Sequence, residues 1–157
     1  MSSQAPAARH WYRLDNAANV YPAVRSKTRP GLFRVSATLR EPIQPDLLQQ
    51  ALVDTLGRIP SFSVRMRSGL FWHYFRHAED ELVIQEDVRN PCMGLSARKD
   101  KGFQIRVRYH DRRIALEVFH SVSDGSGAIV FLKTLTARYL GLSGIAIPAT
   151  HGVLDCD

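Results

Sequence analysis

The sequence predicts an α+β domain, a two-layer sandwich in which a mainly antiparallel, mixed sheet carries helices on one face. Two kinds of periodicity predict it. Several stretches alternate apolar and polar side chains with the two-residue period of half-buried strands, separated by short polar turns. Two others carry apolar side chains at helical spacing behind helix-start signals. Strand pairs interrupted by two amphipathic helices describe a sheet with helices on one side. At 157 residues the chain is long enough for one core and too short to divide comfortably, so 1–157 is expected to be a single domain.

The segment from Trp11 to Ala23 mixes aromatic, apolar and polar residues without a clean period and is expected to be a short helix or an ordered loop. After Arg29-Pro30-Gly31, a turn signal, Phe33, Val35, Ala37 and Leu39 alternate with Arg34, Ser36, Thr38 and Arg40, which predicts a half-buried strand. Gln44-Pro45-Asp46 reads as a helix start, because proline is tolerated in the first turn and an acidic side chain there suits the helix dipole. Leu48, Ala51, Leu52, Thr55, Leu56 and Ile59 follow at helical spacing, and Gly57 and Pro60 end the run.

Phe62 to Phe75 predicts a hairpin turning at Ser68-Gly69, with Val64 and Met66 inward and Arg65 and Arg67 outward. A short strand is expected at Leu82 to Gln85, and Asn90-Pro91-Cys92-Met93-Gly94 breaks the pattern. Phe103, Ile105, Val107 and Tyr109 then alternate with Gln104, Arg106, Arg108 and His110. Past the turn Asp111-Arg112-Arg113 an apolar strand runs from Ile114 to Phe119 and should pair antiparallel with its predecessor. Asp124-Gly125-Ser126-Gly127 opens a helix with Ala128, Phe131, Leu132, Leu135 and Tyr139 on one side, ended by Gly141; residues 143–157 are expected to form an irregular tail.

Composition narrows the class of function without choosing one. No apolar run approaches the roughly 18 residues of a membrane span, and Met1 to Ala8 lacks the basic and apolar blocks of a secretory signal, so a cytoplasmic location is expected. Cys92 and Cys156 are too few for a disulfide framework and have no zinc or redox spacing. The net charge of +6 suits a nucleic acid, an anionic membrane surface or a phosphate-bearing small molecule. The basic residues come in scattered pairs, Arg65 and Arg67, Arg106 and Arg108, Arg112 and Arg113, which reads as solvated strand faces and turns.

The chemistry-bearing segment is Val118-Phe119-His120-Ser121-Val122-Ser123-Asp124-Gly125. A strand delivers His120 to the sheet edge and a helix begins five residues later, so packed elements on both sides fix the position of the imidazole. A neutral imidazole accepts a proton from a hydroxyl, amine or thiol. Asp124 has two orienting roles open to it, capping the helix or pairing with an arginine to fix the loop. Gly125, with no Cβ, allows a tight turn or a close approach. Ser121 and Ser123 lack the G-x-S-x-G elbow and a carboxylate to orient the histidine, which argues against either as a nucleophile. His73, His77, His110 and His151 have no ligand spacing toward His120 and Asp124, so no metal site is expected.

H-x-x-x-D-G between an apolar strand and a helix resembles the active-site motif of the chloramphenicol acetyltransferase and condensation-domain superfamily. The segments Trp11 to Ala18, Tyr21-Pro22-Ala23, Pro60-Ser61-Phe62 and Gly69-Leu70-Phe71-Trp72 look like the N-terminal region of bacterial alcohol O-acetyltransferase-like proteins, so the resemblance runs from about residue 11 to 142. It implies a chloramphenicol acetyltransferase-like half in which His120 is the general base for transfer from acyl-CoA, acetyl-CoA foremost, to an alcohol or similar acceptor. No covalent acyl-enzyme is implied. Asp124 would shape the loop and Gly125 would leave space at the tunnel. Members of the superfamily carry two similar halves with a further motif in the second, and nothing after Gly144 matches it. The resemblance therefore implies a missing C-terminal half or self-association, with apolar surface left uncovered. Two other readings stay open: a non-catalytic half-domain that binds a protein or acyl carrier, and a basic nucleic-acid-binding domain presenting Arg106, Arg108 and Tyr109. The absence of an RNA-recognition signature counts against the second.

Overall fold

The computed structural model describes residues 31–68, 70, 73–95 and 98–148 and the backbone of Trp11–Arg13. Its elements are β1 (Trp11–Arg13), β2 (Leu32–Thr38), α1 (Pro45–Arg58), a single 3₁₀ turn at Pro60–Phe62, β3 (Val64–Ser68), β4 (His73–His77), β5 (Gln85–Glu86), β6 (Ile105–His110), β7 (Arg113–Phe119) and α2 (Gly125–Leu142). The larger sheet has the order β2-β7-β6-β5, antiparallel except where β5 runs parallel to β6; the smaller has the order β1-β4-β3. A bridge between Arg65 and Phe103 links the two. The expected mixed α+β architecture is what the chain adopts.

Helix α1 places Pro45 in its first turn and buries Leu48, Ala51, Leu52, Thr55 and Leu56, the stripe the spacing predicts. Gln44 offers no side-chain cap; its own backbone N–H donates to Tyr139 Oη of α2 at 2.9 Å, tying the two helices together. Helix α2 buries Ala128, Phe131, Leu135 and Tyr139, packs beside α1 and lies on β2 and β7. Ile105, Val107, Ile114, Leu116 and Val118 meet this helical layer to form the main core, where Phe62 and Phe131 stack at 4.5 Å. A second cluster, Val64 and Phe75 with Met66, joins the smaller sheet to Val122.

Three local expectations are revised. Trp11–Arg13 is a strand, paired with Tyr74–Arg76, where a helix or loop was expected; the rest of the segment to Ala23 lies outside the described residues, as does Gly69 of the predicted hairpin turn. The strand expected at Leu82 to Gln85 shrinks to Gln85–Glu86, because the Gln49 side chain takes the place of a neighbouring strand: its Nε2 donates to the Leu82 carbonyl and its Oε1 accepts from the Ile84 N–H. Arg106 and Arg108 are not solvated. They are 5% and 8% exposed, on a sheet face where Glu86, Met93, Gly94 and Asp100 contact them. Among the described residues no helix is long and apolar enough to cross a membrane.

Candidate active site

Strand β7 ends at Phe119 and α2 begins at Gly125, so His120 to Asp124 form the junction expected from the sequence. His120 is exposed. Its backbone N–H donates to the Gly31 carbonyl at 2.9 Å, which extends the β2–β7 pairing by one step past the strand end. The imidazole lies against the Phe33 ring of β2 with centroids 4.4 Å apart and planes 39° from one another. The next turn closes where the Val122 N–H donates to the Phe119 carbonyl at 2.8 Å. Asp124 then caps α2, its Oδ1 accepting from the Gly127 N–H at 2.8 Å. Of the two orienting roles open to Asp124, the cap is realised; among the described residues it forms no ion pair with an arginine.

Glycine is required at Gly31 rather than at Gly125. A Cβ on Gly125 would meet nothing within 4 Å, so this chain itself demands no close approach there. Gly31 has φ of +67°, and a Cβ on it would stand 2.7 Å from Cε2 of the fully buried Phe119. That glycine lets β2 reach the end of β7 and present the carbonyl that holds His120. A Cβ on Gly127 would lie 2.2 Å from Ser123 Oγ, a side-chain tip that can turn aside, so the demand for glycine is weaker there. Arg29-Pro30-Gly31 was read only as a turn signal; the positive φ and the contact with Phe119 are tertiary facts.

Phe33, Val35 and Ala37 share a face of β2. Beyond Phe33, Val35 and Ala37 form one wall of an open groove of about 630 Å³ whose other wall is Ile129, Leu132, Thr136 and Leu140 of α2. One strand repeat, roughly 7 Å, separates the Phe33 that touches His120 from the Val35 that begins the groove. Ile129 and Ile147, at its rim, are 46% and 37% exposed. A second hollow of about 510 Å³ shares Leu140 and continues past Leu39, Tyr139 and Ile145. His120 itself lines neither hollow; it stands beside Phe33, one strand repeat from the first β2 residue of the groove.

On the opposite face of the sheet the structure brings together residues that sequence reasoning missed. Glu117 is fully buried in β7, directly between Arg34 of β2 and Arg106 of β6. Its carboxylate accepts from Arg106 Nη1 at 3.1 Å, Arg34 Nη1 at 3.3 Å, Arg108 Nε at 3.5 Å and the Cys92 N–H at 3.0 Å. Arg106 also donates to Asp100 at 2.6 and 2.9 Å and to the Met93 and Gly94 carbonyls, while Arg108 donates to the Glu86 carbonyl. Asp87 receives Arg34 and Arg113. Burial alone would raise the Asp87 carboxyl, but hydrogen bonds from Arg34, the Val88 amide and Arg113 outweigh it and hold the group at about 2. Arg34 is raised in turn, chiefly by its hydrogen bond to Asp87. Burial first, then Glu117, pushes the Cys92 thiol up and away from the reactive thiolate form.

This network disposes of the Arg106, Arg108 and Tyr109 face as a nucleic-acid platform. The guanidinium groups are buried among carboxylates, and the Met93 and Gly94 carbonyls take further N–H groups of Arg106. Among the described residues no group of three histidine, cysteine, aspartate or glutamate side chains is arranged to hold a metal ion.

Neither a family model nor a curated protein matches the sequence. Solved structures do match the fold. The starter condensation domain of rhizomide synthetase RzmA superposes with a TM-score of 0.69 at 10% identity, covering 90% of this chain and 40% of that one. Polyketide synthase associated protein 5 from Mycobacterium tuberculosis gives 0.60 at 19% identity, covering 88% and 35%. TRI101 of F. graminearum, solved with coenzyme A and deoxynivalenol, gives 0.59 at 12% identity, covering 90% and 40%. The chain therefore has the fold of part of the condensation domains and of a coenzyme A-binding protein, and spans well under half the length of each.

Proposed function

We propose that this chain is the histidine-bearing N-terminal half of an acyl-CoA-dependent O-acyltransferase, with His120 as the general base. The observation that carries the reading is the position of the imidazole. It is exposed, its backbone is fixed by Gly31, its ring rests on Phe33, and an apolar groove begins one strand repeat away. A base must be held within hydrogen-bond reach of the proton it removes, and a strand end locked to a capped helix supplies that rigidity. The fold shared with condensation domains and with a structure holding coenzyme A supports the same chemistry.

In the proposed reaction the imidazole of His120 takes the proton of the acceptor hydroxyl as its oxygen attacks the thioester carbonyl. The tetrahedral intermediate expels the thiolate of coenzyme A, which recovers the proton from the imidazolium. The ester and the free thiol leave, and no acyl group rests on the protein. Asp124 positions the loop through its cap on α2, and the open space beside Gly125 leaves room for donor and acceptor. The second wall of the site comes from a further half of the same kind or from a second copy, either of which would cover Ile129 and Ile147.

The test incubates the protein with acetyl-CoA and a panel of alcohols and measures free thiol, alongside size-exclusion chromatography. Thiol release that depends on the acceptor supports the proposal. Saturable binding of acetyl-CoA or of an acyl carrier with no release under any acceptor would replace it with a binding module.

A further inference from the structure

A separate site lies on the outer face of the smaller sheet, where β3 and β4 pair Arg65 directly with Arg76. Side chains alternate along a strand, so the face opposite the buried Val64 and Phe75 and the half-buried Met66 carries Arg65, Arg67 and Arg76 together. With His77, Glu79 and Asp80 they line a small polar cleft of about 170 Å³. Like charges directly opposite across two strands are destabilising, and the hairpin tolerates them only with counter-charge close by.

The counter-charge supplied by the chain is incomplete. Asp80 pairs with Arg65, and Glu79 reaches Arg76 at 3.8 Å, but their side chains are 58% and 86% exposed and their hold is correspondingly weak. Arg67 makes no hydrogen bond or ion pair among the described residues. Arg65 lies over the Phe103 ring, its guanidinium carbon 5.0 Å from the centroid, a contact that steadies the group without using its N–H groups. Its Nε is buried with no hydrogen-bond partner. Three guanidinium groups against two rim carboxylates leave a net positive cleft with spare donors in a fork geometry, the arrangement that recognises phosphate oxygens.

We infer that this cleft is an anion site for a phosphate group, held by Arg67 and Arg76 with Arg65 as the fixed floor. Its volume is that of a few water molecules and fits one phosphate group, whereas a nucleic-acid strand needs a continuous track of such positions. The site stands on the β3–β4 geometry and does not depend on acyl transfer at His120. The phosphate comes either free or as the monoester of a nucleotide-bearing small molecule, and the two sources are separable by experiment.

The experiment titrates the whole chain by calorimetry with inorganic phosphate, with adenosine 3′,5′-bisphosphate and with a single-stranded oligonucleotide, at constant ionic strength so that general screening does not vary. Saturable phosphate binding is expected, weakened at least about tenfold, or ~1.4 kcal/mol, in each of Arg67→Ala and Arg76→Ala. Both side chains are largely exposed, so the variants should keep the far-ultraviolet circular dichroism of the parent. Tighter binding of the bisphosphate identifies a nucleotide monoester as the ligand; equal binding identifies free phosphate. No saturation with either, binding unchanged in the double variant, or preferential binding of the oligonucleotide would overturn the assignment.

Discussion

Replacing Glu117 with glutamine keeps the shape of the side chain and removes its charge at the point where three strands converge. The wild-type carboxylate is fully buried and accepts four hydrogen bonds, three of them from guanidinium groups at 3.1 to 3.5 Å. Charged hydrogen bonds of this kind contribute about 1.5 to 3 kcal/mol each when the partner stays buried. They are not additive, and removing one member of a buried ion network typically costs about 3 to 5 kcal/mol because the remaining charges have lost their counter-charge. Asp100 still neutralises Arg106 and Asp87 still neutralises Arg34, so the lower part of that range, about 3 kcal/mol, is expected. Urea denaturation followed by far-ultraviolet circular dichroism measures it: the midpoint should fall while the slope is unchanged. A loss below about 1 kcal/mol would refute the reasoning, because it would mean the network adds little beyond what the hydrophobic face of the sheet already supplies.

The same network predicts an acid limit. The Asp87 carboxyl is held at about 2, below its ordinary 3.8, so its stabilisation is complete above the higher value and is lost as pH falls through the lower one. About 2 kcal/mol of stability should disappear between roughly pH 4 and pH 2, and Asp87→Asn should abolish that part of the pH dependence of the urea midpoint. Gly31→Ala must accept both a φ of +67° and a contact with Phe119, and should lose about 2 kcal/mol in the same assay. Asp124→Ala should cost about 1 kcal/mol and Asp124→Asn much less, since asparagine also accepts from the Gly127 N–H; equal losses would show that the cap is not what Asp124 contributes.

Local periodicity carried most of the fold. The alternations around Val35 and Val107 and the helical stripes through Leu52 and Phe131 are set by short-range spacing, and each became the element expected. Trp11–Arg13 was not readable, because three residues hold too little of any period and the pairing with β4 is long-range. Arg106 and Arg108 were misread for an instructive reason. Alternation shows which residues point away from the helices, but not whether something covers that second face. The partner was within reach: with a two-residue turn at Asp111-Arg112, counting back four places from His110 and forward four from Arg113 brings Arg106 opposite Glu117, an acidic residue in an otherwise apolar strand. Arg34 and Asp87 lie in distant segments that no turn arithmetic connects. At the site, the strand, junction and helix around His120 followed from the sequence, whereas the Gly31 carbonyl, the Phe33 ring and the groove along α2 exist only once β2 lies beside β7.

The most direct test of the acyl-transfer account is a comparison of the wild-type protein with His120→Ala, both confirmed as folded, in their transfer of the acetyl group from acetyl-CoA to an alcohol that the wild type accepts. Because His120 is exposed, its removal should leave the unfolding free energy within about 0.5 kcal/mol of the parent. The account predicts that ester formation falls to the uncatalysed rate. Ester formed equally fast by the two proteins would contradict it.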